Sequence, residues 1–185
     1  MTLREKLYSF DEFWEIINLP ENADRRFELD EGVIVDVGPS SAINSVITGR
    51  LIYFLNAFVI PRNLGMVTTP DAGFKVGTRS YRQPDVAFIS KRTSTSLAGT
   101  YFTVAPDLAV EVVSEDEDIF RKAAEYLHAG TQIVWAVYAA DRRVYVMTLN
   151  PDRVIESRLF TESDILDGGA VLPGFTLPVR EIFPA

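Results

Sequence analysis

The chain has no cysteine, so disulfides and thiolate metal sites are excluded. It has one histidine, His128, which rules out a multi-histidine zinc centre and argues against a serine–histidine–aspartate triad. Bases are outnumbered, 18 against 26 acids, and the net charge of −8 weighs against a protein that coats nucleic acid by bulk electrostatics. No apolar run reaches the roughly 18 residues of a membrane span, so no membrane partner is expected. The start, Met1-Thr2-Leu3-Arg4-Glu5-Lys6, lacks the basic segment and apolar stretch of a signal peptide. An intracellular, cytoplasmic location fits. Without internal repeats or low-complexity linkers, the 185 residues read as one domain, 1–185.

What is present is a globular composition, 47% hydrophobic and 24% charged, and two acids set into apolar strands. Asp85 follows Pro84 and opens Val86-Ala87-Phe88-Ile89; Glu111 lies within Leu108-Ala109-Val110-Glu111-Val112-Val113. Strand alternation puts Ala109, Glu111 and Val113 on one face and Leu108, Val110 and Val112 on the other. A glutamate with apolar neighbours on both faces is buried and needs a partner, because an unpaired buried carboxylate costs several kcal/mol, about the desolvation of the charge. Two carboxylates on neighbouring strands suit a hard divalent cation. Taken alone, Pro84-Asp85 also reads as a turn before a strand, and Glu111 equally as a member of a structural ion pair.

Around these acids the pattern alternates strand and helix. Ser9-Phe10-Asp11-Glu12 has the form of a capping box. Phe27–Leu29 and Val33–Val37 flank Asp30-Glu31-Gly32 as a hairpin. A long helix runs from Ser41 to Val59 and stops at Pro61, its apolar residues Ile43, Val46, Ile47, Leu51, Phe54, Leu55 and Phe58 at helical spacing. Strand-like segments follow at Met66–Thr69, Phe74–Val76, Val86–Ile89 and Leu108–Val113. A second helix spans Asp116 to Ala129 and ends at Gly130, and Ile133–Tyr138 is apolar enough for a strand buried on both faces. Arg143–Thr148 and Val154–Phe160 complete an antiparallel tail. The expected class is α/β or α+β, a mixed central sheet flanked by helices.

Lys122 sits on the second helix, directly after the Glu111 strand. Asp118 to Lys122 has the i,i+4 spacing of an ordinary surface pair, but the topology brings this helix close to the strand's C-terminal end, where sites of open sheets gather. Glu28, between Phe27 and Leu29, faces either the same site or solvent. Five acids fall within residues 111–118, and capping of the helix is their simplest role. Residues 62–92 are the one basic stretch, with Arg62, Lys75, Arg79, Arg82, Lys91 and Arg92 against Asp71 and Asp85.

The segments Arg26-Phe27-Glu28-Leu29-Asp30-Glu31-Gly32, Gln83-Pro84-Asp85-Val86 and Pro106-Asp107-Leu108-Ala109-Val110-Glu111-Val112-Val113-Ser114, with Asp118, Lys122, Tyr126, Gly130, the Trp135 strand and Leu172-Pro173-Gly174-Phe175, resemble the Uma-two family of restriction-type endonucleases. That family is a branch of the PD-(D/E)XK nuclease superfamily. The resemblance implies a restriction-endonuclease-like fold, Asp85 and Glu111 as ligands of Mg2+ or Mn2+, Lys122 as the catalytic lysine, Glu28 as an auxiliary catalytic acid, and DNA as the partner. Two departures stand out. The superfamily's lysine position, two residues after the glutamate, holds Val113, and a histidine frequent at the start of the long helix is replaced by Asn44. Metal-dependent DNA hydrolysis is the leading expectation. An inactive binding or assembly module and a hydrolase of small phosphorylated molecules are the alternatives, and the hairpins and antiparallel tail would suit a homodimer.

Overall fold

The computed structural model describes residues 6–94, 96–114 and 118–184. Its helices are α1 (Phe10–Ile17), α2 (Ala42–Arg62) and α3 (Ile119–Ala129). Its strands are β1 (Phe27–Asp30), β2 (Val33–Asp36), β3 (Gly65–Thr68), β4 (Phe74–Lys75), β5 (Tyr81–Arg82), β6 (Val86–Ser90), β7 (Leu108–Val112), β8 (Ile133–Tyr138), β9 (Arg143–Leu149), β10 (Ile155–Phe160), β11 (Ile165–Gly168) and β12 (Leu172–Pro178). Six strands form the central sheet in the order β10-β9-β8-β7-β6-β3, mixed because β7 and β8 run parallel while the other neighbours are antiparallel. A smaller sheet has the order β2-β1-β5-β4, and β11 pairs with β12. The expected α+β architecture with helix-flanked mixed sheet is therefore present.

Alternation along the strands assigns each helix a face. Val86, Phe88, Leu108, Val110, Val112, Trp135 and Val137 form one buried layer with Ile47, Leu51, Leu55 and Val59 of α2. On the other face Ala109, Val134 and Ala136 meet Ile119, Ala123, Tyr126 and Leu127 of α3. The small residues at 109 and 136 leave room for that helix to sit close to the sheet, beside Glu111. Burying four Leu, Ile or Val side chains of α2 contributes on the order of 6–12 kcal/mol before entropy is charged against it.

Local signals hold with adjustments. Ser9 and Glu12 close the capping box of α1. The β1–β2 turn places Glu31 and Gly32 at φ 48° and 96°, the left-handed pair that matches strand twist in a two-residue hairpin. Helix α2 is longer than expected: Pro61 lies inside its last turn, and the helix ends at Asn63 in the left-handed conformation. Proline disturbs the turn before it rather than the residues after it, so the helix runs to Arg62, three residues past Val59, and ends where Asn63 turns left-handed. Helix α3 begins at Ile119 with Asp118 as its N-cap, accepting from the Arg121 N–H; Asp116, expected to open it, lies outside the described residues. Strands β5, β11 and β12 were not anticipated.

The 21-residue α2 is also long and apolar enough to cross a membrane, with mean hydropathy 1.5, which the search for an unbroken apolar run missed. It is a sheet-packed helix here, with Arg50 near its middle held by the carbonyls of Glu181 and Phe183.

Candidate active site

The register of the antiparallel pair β6–β7 sets Val86 against Val110 and Ala87 against Ala109. One step further along that register, Asp85 falls opposite Glu111, so both carboxylates leave the sheet on the α3 face. Asp85 lies just before its strand begins and uses its side chain to extend the ladder: Oδ2 accepts the Val112 N–H at 2.7 Å. Glu111 is 3% exposed. Its Oε1 accepts from the Tyr126 hydroxyl at 2.8 Å and lies 3.1 Å from Lys122 Nζ. The structure brings these two acids and the lysine together, and the lysine turns inward rather than pairing at the surface with Asp118.

Lys122 Nζ is also 3.3 Å from Glu28 Oε1, so the ammonium bridges the central sheet to the smaller one. Glu28 is buried and faces the site rather than solvent. Its Oε1 accepts the Gln83 N–H at 2.8 Å, and its Oε2 accepts from Arg82 Nη1 at 3.1 Å. Asp85, Glu111, Lys122 and Glu28 thus belong to one cluster.

Arg82, one of the bases of the 62–92 stretch, is not a surface cation. It is 3% exposed and donates to Glu28, to Asp30 Oδ1 at 2.8 Å, and to both oxygens of Glu125 at 3.0 and 2.7 Å. Burial alone would lower its pKa, yet the carboxylates of Glu125, Glu28 and Asp30 push it up, so it is a permanent cation. Arg121 adds a two-pronged ion pair to Asp30. Four other bases of the stretch also lie away from the acids. Lys91 and Arg92 follow the far end of β6, about 20 Å from Asp85 at the strand's rise per residue. Arg62 ends α2 at that same side, and Lys75 sits over the Phe10 ring at 4.0 Å.

Sequence reasoning missed Asp30, Arg121 and Glu125 as members of the cluster, and missed the contact of Tyr126. Their pairing depends on the smaller sheet meeting α3, and β5 is only two residues long. One local signal existed: Arg121–Glu125 and Lys122–Tyr126 are successive i,i+4 pairs on one helix flank. The titration behaviour follows the packing. Burial and the Glu111 charge raise Tyr126 well above its ordinary value, which keeps it a hydrogen-bond donor. Burial raises Glu125, with Asp30 adding to it, against the pull of Arg82. For Asp30 burial is outweighed by Arg121 and Arg82, so its carboxyl is lowered.

No three metal-binding side chains gather into a closed cage among the described residues. Asp85 and Glu111 instead offer an open two-carboxylate site of hard oxygen donors, which fits a magnesium-type ion that keeps several of its waters. Acids outnumber bases here: among the described residues Glu28, Asp30, Asp85, Glu111 and Glu125 face Arg82, Arg121 and Lys122, with Asp118 3.9 Å from Arg121, so a divalent cation would lower the cluster's negative charge.

Asp107, quoted in the same segment as Glu111, has a different role. It is 5% exposed and accepts from the Ser90 N–H, the Thr93 hydroxyl and the Gln132 amide, all neutral donors, so it ties loops together. Beyond Glu111, a groove of about 450 Å³ opens at the C-terminal ends of β7 and β8, lined by Ser41, Ile43, Asn44, Val113, Ser114, Ala139 and Ala140. Asn44 donates its amide to the Val112 carbonyl at 3.4 Å.

Comparison with known proteins gives the frame for this geometry. No curated protein matches the chain. Among solved structures it is similar to a protein from Anabaena variabilis ATCC 29413, described as a "putative nuclease belonging to DUF820", with a TM-score of 0.81 over 95% of this chain and 97% of that one at 20% identity. At that identity the likeness concerns the fold. The sequence profile of a family described as "Uma2: Putative restriction endonuclease" matches residues 10–180. With nearly its whole length inside that profile, the chain belongs to the Uma2 family.

Proposed function

We propose that the protein is a metal-dependent endonuclease that hydrolyses DNA phosphodiester bonds at the Asp85–Glu111–Lys122 cluster. The observation that carries this reading is the buried Glu111 set opposite Asp85, with Lys122 Nζ 3.1 Å from its carboxylate. A magnesium-type ion held by Asp85 and Glu111 would acidify a bound water and offset charge developing on the phosphate.

The chain's own groups do the rest. The Val112 N–H fixes Asp85, and Tyr126, held protonated, fixes Glu111 as an acceptor. Lys122 is oriented from both sides by Glu111 and Glu28, a position from which it would align the attacking water or neutralise a phosphate oxygen. Glu28 acts on the lysine, and Arg82 holds Glu28 in turn. The groove beside Asn44 and Ser114 would take the nucleic-acid backbone, a role without sequence information.

A second reading has its own observations. Val113 and Asn44 stand where the family resemblance implies a lysine and a histidine, and Arg62, Lys75, Lys91 and Arg92 lie away from the acids, which favours a nuclease fold kept for binding or assembly without chemistry. The test is hydrolysis of supercoiled plasmid, single-stranded DNA and a small phosphodiester, each with Mg2+ and then Mn2+. Cutting of the DNA substrates supports the endonuclease. Hydrolysis of the small phosphodiester alone moves the reading to a small-molecule hydrolase, and no turnover moves it to the inactive module.

A further inference from the structure

Helix α2 has a second apolar face. Opposite the buried Ile47, Leu51, Leu55 and Val59, it carries Ile43, Val46, Tyr53 and Ile60 at 43, 48, 66 and 67% exposure. Positions 43, 46, 50, 53, 57 and 60 alternate steps of three and four, the spacing of a coiled-coil seam. The helix contains no acid, and Arg50 is the one charge within the seam.

We propose that this seam is the interface with a second copy of the chain, two α2 helices packing antiparallel across a two-fold axis. The pattern reads the same in both directions. Turned end for end, Ile43 meets Ile60 of the second copy, Val46 meets Ala57, and Arg50 meets Tyr53. A two-fold interface demands this self-complementarity and a contact with an unrelated protein does not. The charges also agree. The Arg50 guanidinium, anchored by the carbonyls of Glu181 and Phe183 at 3.0 Å each, would meet the Tyr53 ring, an attractive cation–π pairing. Arg62 falls opposite Ser41 rather than against another arginine.

The area sets the strength. A 21-residue helix is about 31 Å long, and a contact strip about 10 Å wide covers on the order of 300 Å² per copy, below the ~800 Å² of a standard interface. The dimer is therefore weak, and forms in proportion to concentration. The seam shares Ile43 with the groove assigned to the nucleic-acid backbone, and its test reads mass and cross-linking rather than cleavage.

The absence of cysteine makes the test clean. Sedimentation equilibrium from low-micromolar to sub-millimolar concentration should show mass rising from 20.7 kDa toward twice that value. Ile60→Glu, at an exposed position that leaves the fold intact by circular dichroism, should hold the protein monomeric. Val46→Cys and Ala57→Cys proteins, mixed and oxidised, should cross-link to each other while neither cross-links to itself, since like positions lie about 16 Å apart along the pair, beyond disulfide reach. A monomer at every concentration, a dimer untouched by Ile60→Glu, or self-cross-linking of Val46→Cys would each overturn the proposal. A monomer that binds lipid vesicles through α2 would overturn it as well, and assign the seam to a membrane surface.

Discussion

At the scale of residues, the cluster is a set of buried charges that survive only in each other's company. Arg82 is its keystone: removing it leaves Glu125 buried without its closest cation and takes one of two cations from Glu28 and from Asp30. Arg82→Met should destabilise the protein by about 3–5 kcal/mol in urea unfolding, and Arg82→Lys should not restore it, because an ammonium cannot reproduce the fork to Glu125. Lys122 is different, since its removal should be felt in rate. Lys122→Met, folded by circular dichroism, should slow single-turnover DNA cleavage by roughly 10²–10³-fold, the range for one lost electrostatic donor; an unchanged rate removes the lysine from the mechanism. Glu111 was legible in the sequence because strand alternation has one answer inside an apolar run. Arg82, Asp30 and Glu125 were not, because their partners come from β1, β5 and α3, which no local pattern joins.

At the scale of elements, the site exists because the β6–β7 register and the β7–α3–β8 connection agree. The strand carrying Glu111 feeds the helix carrying Lys122 and Tyr126, and the parallel return of β8 fixes that helix over the sheet. Both connected elements were visible as periodic segments, and so was the buried β8. The short β5 and the Gly- and Pro-bearing β12 escaped, since a strand of two residues or one containing Pro173-Gly174 shows no alternation to read. The edge pair β3–β6 rests on a single glycine. A Cβ at Gly65 would sit 2.0 Å from the Ile89 carbonyl oxygen, a backbone atom that cannot step aside. Gly65→Ala should therefore cost about 1–3 kcal/mol by forcing the strands apart, read as a lowered urea midpoint; an unchanged midpoint would mean that β3 shifts at no cost.

At the scale of the whole molecule, part of the net charge of −8 is gathered in the buried cluster, where acids outnumber bases among the described residues. Stability should report the same cluster. Asp30 is lowered in the folded state, so its contribution is present above its unfolded value near 3.8 and is lost as pH falls through the folded one. Glu125 is raised, with the opposite sign: the folded state holds its proton more tightly, so stability declines as pH rises from its unfolded value near 4.5 through the folded one. Urea midpoints across this range should lose part of their acid-side fall in Asp30→Asn and part of the higher-pH decline in Glu125→Gln; identical profiles for all three proteins would contradict the assigned pairing. Whether Asp85 and Glu111 hold a divalent ion that supports DNA cleavage is decided by plasmid nicking across a Mg2+ and Mn2+ titration with the wild type, Asp85→Ala and Glu111→Ala proteins. The wild type should cut only with metal and both folded variants should not cut; equal cutting by all three, or cutting that ignores chelator, would remove the metal from these two acids.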